Sequence, residues 1–419
     1  MRDFLPADKA RRERVLGVIR STYRAHGFDE IETPVMEDSA RLHAGLGGDN
    51  EKLAFAVMKR GLTTDDLRAA DQPLDLADLG LRFDLTVPLA RFYATHRADL
   101  PAVFRAVQIA PVWRAERPQK GRFRQFVQCD IDIIGEPGAI AEVELLSASV
   151  ATLDALGIQG CTIRINDRRL LTASLAQLGF PADSHESVLI TVDKLDKIGV
   201  DGVLAELTDR GSQASAVAAL GEVLSRAASG APFGVDAIRS ALPDGVESLA
   251  IEELAAIGAA VTAVAGRPIV EFDPWLVRGM GYYTGTIFEI AHPEFGYSLG
   301  GGGRYDGMIG RFLGTDVPAA GFSLGFERIV DLVALADDAA TDAVALLHDG
   351  SDPARLARLQ AELIAGGRRV RLVRAPKNLG PVYAQLAAAG FAAVATVTPE
   401  ATAATLAFRP LGTEPPKAG

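Results

Sequence analysis

The sequence predicts an α+β protein in three parts, and three observations carry that expectation. Residues 113–132, WRAERPQKGRFRQFVQCDID, read as two strand-like runs joined by a short basic turn, with helical patterns on either side. From about Arg168 to Gly266 the chain is rich in Ala, Leu and Ser at helical spacing with few strand signals, as in a helical insertion. Beyond a polar joint, DDAAT (337–341), short apolar strands alternate with helical patterns, which suggests a small α/β domain with mostly parallel strands.

The elements follow in order. Ala7 to His26 alternates apolar and basic residues at helical spacing after Pro6, and Gly27 supplies a stop. Phe28–Pro34 reads as a strand closed by proline. LGLRFDLT reads as another strand, and Thr86 is positioned to cap the helix that follows. After the 113–134 hairpin come the helix AIAEVELLSASVATLDALG and the strand CTIRIND, which ends at Asp167. Strand and glycine signals return with Glu271–Ile290, Gly300–Gly303 and AAGFSLGF (319–326), followed by the helix FERIVDLVAL. In the last part, DAVALLH, RRVRLVR and FAAVATV are strands, separated by the helical patterns DPARLARLQAELIAGG and LGPVYAQLAAAG.

At 419 residues, with 48% hydrophobic and 23% charged residues, the chain has the make-up of a globular protein of two or three domains. A net charge of −11 excludes a global basic field for nucleic acid and leaves room only for a local basic patch. The two cysteines, Cys129 and Cys161, sit in apolar strand-like runs, as buried reduced thiols do. The N-terminus, MRDFLPADKARRERV, is too charged for a signal peptide, and no apolar run approaches the ~20 residues that cross a bilayer. A cytoplasmic protein with no membrane association is expected.

The chemistry concentrates in the hairpin. A strand sends alternate side chains to opposite faces. Phe123, Val127, Cys129, Ile131 and Ile133 then point one way, and Arg122, Arg124, Gln128, Asp130 and Asp132 the other. Arg114 and Glu116 repeat the parity on the first run. Fixed arginines beside fixed carboxylates cost desolvation unless solvent or a ligand meets them, and a ligand with both phosphate and ammonium groups would match the row. An exposed hairpin with solvated charges is the plainer alternative. No GxxxxGK[ST] loop, no GxGxxG after a strand, no GxSxG elbow, no CxxC and no histidine pair at metal-ligand spacing occurs. What remains is arginine-rich, which suits electrostatic stabilisation of phosphoryl or nucleotidyl transfer. Three more segments add to it. LVRGMGYYTGTIFE (276–289) places Arg278 and the pair Tyr282–Tyr283 ahead of a β-branched strand. GGGGRYDG (300–307) lets backbone approach a ligand, although read alone it is a tight turn. GFSLGFERI (321–329) runs from strand into helix and puts Arg328 near the helix start, where the dipole calls for an anion or carboxylate partner.

Taken together these segments resemble the histidyl-tRNA synthetase family of class II aminoacyl-tRNA synthetases. FDEIETPVME resembles the first class motif with Pro34 at its proline, WRAERPQKGRFRQFVQCD the second, and GFSLGFERI the third with Arg328 as its arginine. LVRGMGYYTGTIFE and GGGRYD resemble the two blocks peculiar to the histidine enzymes. The resemblance implies an antiparallel six-stranded catalytic sheet flanked by helices over 1–166 and 268–336. It further implies a helical insertion domain over 167–267, a C-terminal anticodon-binding α/β domain over 337–419, and a homodimer built around the first motif. It implies activation of L-histidine with ATP and Mg²⁺ to the adenylate, then transfer to tRNA(His). Arg114 would hold the α-phosphate, Glu116 and Phe126 would sit about the adenine, and Arg122 and Arg328 would take the outer phosphates. Asp84, Thr86 and Gln128 would hold the histidine ammonium, and Asp132, Tyr282 and Tyr283 would surround the imidazole. Arg278 would bridge the histidine carboxylate and the α-phosphate; no residue is assigned to a metal. A second reading is the non-catalytic synthetase-like regulatory subunit of ATP-phosphoribosyltransferase in histidine biosynthesis. It usually lacks the anticodon domain and the LVRG arginine, and this chain has both Arg278 and a C-terminal α/β segment.

Overall fold

The computed structural model describes residues 1–43, 52–117, 123–225, 233–277, 283–333, 342–350 and 352–411. The chain opens with helix α1 (Pro6–Ala25), then β1 (Asp29–Glu30), β2 (Met36–Asp38), α2 (Ser39–Leu42), β3 (Phe55–Met58), α3 (Thr64–Ala69), β4 (Ala77–Leu81) and α4 (Thr86–His96). The hairpin strands are β5 (Phe104–Trp113) and β6 (Gln125–Ile134), followed by α5 (Ile140–Ala155) and β7 (Thr162–Asp167). The stretch expected to be helical is helical: α6 (Arg168–Gln177), α7 (His185–Val192), α8 (Leu195–Asp209), α9 (Ala214–Leu224), α10 (Val235–Ala241) and α11 (Ala250–Ala265). Strands return with β8 (Val270–Phe272), β9 (Thr286–His292) and β10 (Phe295–Arg304), then α12 (Asp306–Leu313), β11 (Ala319–Leu324) and α13 (Phe326–Leu332). The last part holds β12 (Ala343–His348), α14 (Pro353–Ala365), β13 (Arg369–Arg374), α15 (Gly380–Ala388), β14 (Ala393–Thr396) and β15 (Arg409–Pro410). The chain divides into two compact units, one built on Val15–Val333 and the other on Arg2–Arg14 with Ala334–Gly419.

The large sheet of the first unit has the strand order β1-β5-β6-β11-β10-β9-β7-β8. The six strands from β5 to β7 pair antiparallel throughout, as expected, and the short β1 and β8 add a parallel strand at each edge. On β6 the alternation separates as the sequence requires. Cys129, Ile131 and Ile133 are fully buried among apolar neighbours, while Gln128, Asp130 and Asp132 share the opposite face. Helix α5 packs on β6 and β11 and is apolar over most of its surface because α11 covers its other side.

Four local expectations change. The glycine block lies inside β10, paired with β9 on one side and β11 on the other, and is not a turn. Its glycines serve close approach: a Cβ on Gly302 would collide with the Gly321 carbonyl, and one on Gly303 would sit 2.6 Å from Thr286 O. The strand expected in LGLRFDLT ends at Leu81, where Arg82 turns inward and donates to the Thr33 (2.7 Å) and Pro111 (3.0 Å) carbonyls. Likewise only Asp29–Glu30 of Phe28–Pro34 pairs as strand. Thr86 is the first residue of α4 and not its cap; Asp84 Oδ1 accepts the Val87 N–H at 3.1 Å instead.

Buried ion pairs tie helices to the sheet. Arg304 at the end of β10 makes a two-pronged pair with Glu142 of α5 (2.7 and 2.8 Å) and donates to Gly138 O. Arg91 of α4 does the same with Glu37 of β2.

In the C-terminal unit the sheet order is β13-β12-β14-β15, with β12 parallel to both β13 and β14. Ala343, Ala345 and Leu347 pack with Leu386 of α15, while Leu346 packs with Leu359 and Leu363 of α14. A strand covered on both faces needs the unbroken apolar run AVALL that the sequence supplies.

Candidate active site

The polar face of β6 floors a cavity of about 490 Å³, walled by β10, β11 and the start of α13. Nine of the expected residues line it: Asp84 and Thr86 ahead of and at the start of α4, Arg114 and Glu116 just past β5, Phe126, Gln128 and Asp132 on β6, Tyr283 before β9, and Arg328 on α13. Residues as far apart in sequence as Asp84 and Arg328 thus meet at one surface. Arg122, Arg278 and Tyr282 lie outside the described residues.

The cavity lining carries charges of both signs. Arg114 donates from Nε to Phe83 O at 2.9 Å, and its guanidinium lies 5.1 Å from the Phe126 ring centroid. Arg328 donates to Ser298 O and lies over the Tyr297 ring at 4.8 Å. Three acids of the lining are deeply buried: Asp84, Asp130 and Asp132 are 1%, 4% and 3% exposed. Burial pushes Asp132 up to about 7, with the Asp84 charge adding to the rise and the hydrogen bond from Tyr305 opposing it. That bond runs from Tyr305 Oη to Asp132 Oδ1 at 2.6 Å. Asp130 is held well above the usual carboxylate range by burial and then by Asp132, against the pull of Ser323 and Arg114. Such a site favours a cationic guest beside the acids and an anionic one beside the arginines.

Several lining residues had no role assigned from sequence. Asp130 carried a signal, since its parity puts it in the polar row. Tyr305 and Ser323 sit inside the blocks GGGRYD and GFSLGFERI. Glu327, beside Arg328, accepts the Val127 N–H at 3.2 Å and so ties α13 to β6. Gly321 belongs here too, because a Cβ there would collide with the Asp132 carboxylate. Asp193, just past α7, reaches the cavity from the helical stretch with no signal in its own neighbourhood.

An antiparallel sheet whose polar face holds these motif segments is the catalytic fold of class II aminoacyl-tRNA synthetases. A solved structure described as histidyl-tRNA synthetase from Nostoc sp. PCC 7120 matches it with TM-score 0.73 at 26% identity, covering 94% of this chain and 90% of that one. A structure described as an ATP phosphoribosyltransferase regulatory subunit/histidyl-tRNA synthetase from Bacillus halodurans matches with TM-score 0.74 at 21% identity, covering 92% and 94%, and shares the fold. The family model described as Histidyl-tRNA synthetase matches residues 1–329. The protein named Histidine–tRNA ligase from Leifsonia xyli subsp. xyli is 60% identical over 420 residues, 98% of this chain and 97% of that one. The chain belongs to the histidyl-tRNA synthetase family.

Proposed function

We propose that this chain is a histidine–tRNA ligase, which activates L-histidine with ATP and transfers it to the 3′ end of tRNA(His). The observation that carries the reading is one cavity that brings the buried acids Asp84 and Asp132 together with Arg114 and Arg328, on segments that resemble the family's motifs. Asp84, Thr86 and Gln128 hold the histidine ammonium. The Gln128 Oε1 atom is buried with no hydrogen-bond partner among the described residues, as an acceptor awaiting an N–H⁺ would be. Asp132, Tyr282 and Tyr283 surround the imidazole, whose polar nitrogens make an analogue lacking them costly to bind. Phe126 and Glu116 sit about the adenine, Arg114 takes the α-phosphate, and Arg122 and Arg328 take the outer phosphates.

The reaction is positioning plus charge. The histidine carboxylate attacks the α-phosphorus in line, pyrophosphate leaves, and the terminal ribose hydroxyl of tRNA then displaces AMP. Two anions must be held together, and Arg114 and Arg278 offset their repulsion and the charge that grows on the phosphoryl oxygens. ATP use is a property of the family. For Mg²⁺, the donor set fits an ion that keeps waters and phosphate oxygens and takes one or two carboxylates, of which the lining offers Glu327 beside Arg328. When bound, Mg²⁺ neutralises charge on the outer phosphates.

Residues 1–166 with 268–336 form the catalytic domain in this reading, 167–267 the insertion and 337–419 an anticodon-binding domain. The protein acts as a homodimer in the cytoplasm. Val35 and Met36, 41% and 48% exposed on the segment that resembles the first motif, suit the dimer contact. No helix among the described residues is long and apolar enough to cross a membrane. The regulatory-subunit reading is the weaker, because the 60%-identical ligase spans the C-terminal unit as well. Charging of purified tRNA tests the proposal. Histidine should be esterified to tRNA(His) and to no other tRNA, and a purified, folded chain that charges none contradicts it.

A further inference from the structure

The side-chain amide of Gln128 has two chemically opposite ends, and its neighbours treat them differently. Nε2 lies 3.2 Å from Asp130 Oδ2, 3.4 Å from Asp130 Oδ1 and 3.2 Å from Ser323 Oγ. Oε1 has no hydrogen-bond partner among the described residues, although it is buried. A half-turn about the terminal bond would exchange the two ends at little intrinsic cost, so the surroundings must choose between them. Asp130 keeps at least one accepting oxygen in either protonation state, and Ser323 Oγ offers a second acceptor, so the pair draws the amide N–H to itself. Asp130 is itself fixed in the middle of the sheet, opposite Ser323 of β11 on one side and Gln108 of β5 on the other. Neither Asp130 nor Ser323 has a part in the assignment of substrate groups above.

We propose that Asp130, with Ser323, is a positioning residue that fixes which end of the Gln128 amide is left unmatched, the carbonyl, and so selects an amino acid with a protonated α-amino group over the same molecule without one. The proposal rests on the reading that the cavity takes histidine. Its physical content is that a wrongly turned Gln128 would present N–H to an ammonium group and repel it, whereas the locked one offers a buried acceptor that only a donor satisfies. The imidazole and nucleotide contacts feel Asp130 only through its charge, by way of Asp132 and Arg114, and Asp130→Asn and Asp130→Ala remove that charge alike.

The test uses the full chain and two ligands, L-histidine and 3-(imidazol-4-yl)propanoate, which keeps the ring and the carboxylate and lacks the amino group. Binding of each is measured by calorimetry, and ATP–pyrophosphate exchange supplies KM for histidine and for ATP. Asp130→Ala should weaken histidine by about tenfold or more, the worth of one hydrogen bond to a charged group, and leave the propanoate and the KM for ATP within about twofold. Ser323→Ala should move the same way by less. Asp130→Asn keeps an acceptor at Oδ1 and should recover most of the histidine affinity, which also separates the effect from misfolding. An equal loss of both ligands, or no loss of histidine, overturns the proposal. A wild-type chain that binds no histidine overturns the functional reading itself, so the two failures are distinct.

Discussion

Asp132 couples the pH behaviour of the fold to that of the site. Its carboxyl is raised to about 7 by burial, against roughly 3.9 in an unfolded chain. Between those values the folded state holds a proton that the unfolded state has lost, so stability falls as pH rises through the window and levels off above it. Asp132→Asn removes the buried charge and keeps an acceptor for Tyr305. Thermal melts should find the variant more stable than the wild type at pH 8, by about 1–4 kcal/mol, with the difference vanishing near pH 4. Exchange activity should fall at least about 100-fold, since the imidazole loses its anionic partner. A variant no more stable at pH 8 would sink the claim of a strained acid. This residue was legible early, because alternation along QFVQCDID places it in the polar row. Asp130 was legible as a position and not as a role: alternation puts it beside Gln128, but Ser323, which shares the proposed lock, reaches that amide only in the fold.

Among elements, β10 shows where one-dimensional reasoning falls short. A run of four glycines carries no alternation, so pattern reading sees a turn. The structure uses their missing side chains for close packing between β9 and β11. Thr86 was misread for a related reason: cap residues are short and polar, and Asp84 two positions earlier meets the same description. Arg304, which follows the glycines, anchors β10 to α5 through Glu142. Arg304→Met should destabilise the chain by about 3–5 kcal/mol because it strands a buried carboxylate, and adding Glu142→Leu should recover much of the loss. Denaturant melts of the single and double variants measure this; equal stability of the two would mean that Glu142 is not stranded.

At the scale of the molecule, the succession of helical and strand-bearing stretches was readable from changes in composition, but the neighbour relations of the large sheet were not. Its strands pair across long gaps, as β6 with β11 and β7 with β9, so no local signal orders them. The family resemblance supplied the antiparallel six; the parallel edge strands β1 and β8 and the separate antiparallel sheet β2-β4-β3 were new. The C-terminal unit exposes Arg369, Arg371 and Arg374 on its edge strand β13, with Arg369 and Arg371 at 4.6 and 4.5 Å from the Phe391 ring centroid. A local basic strip in a chain of net charge −11 fits a phosphate backbone as partner. Arg369→Glu with Arg371→Glu should raise the KM for tRNA by about tenfold and flatten its salt dependence while histidine activation stays intact. An unchanged KM for tRNA would move the RNA contact elsewhere. The account as a whole is tested most directly by ATP–pyrophosphate exchange with the purified full chain and with Arg278→Ala. Exchange should require L-histidine among the amino acids and vanish in the folded variant. Exchange that is independent of histidine, or that persists near normal without Arg278, would contradict it.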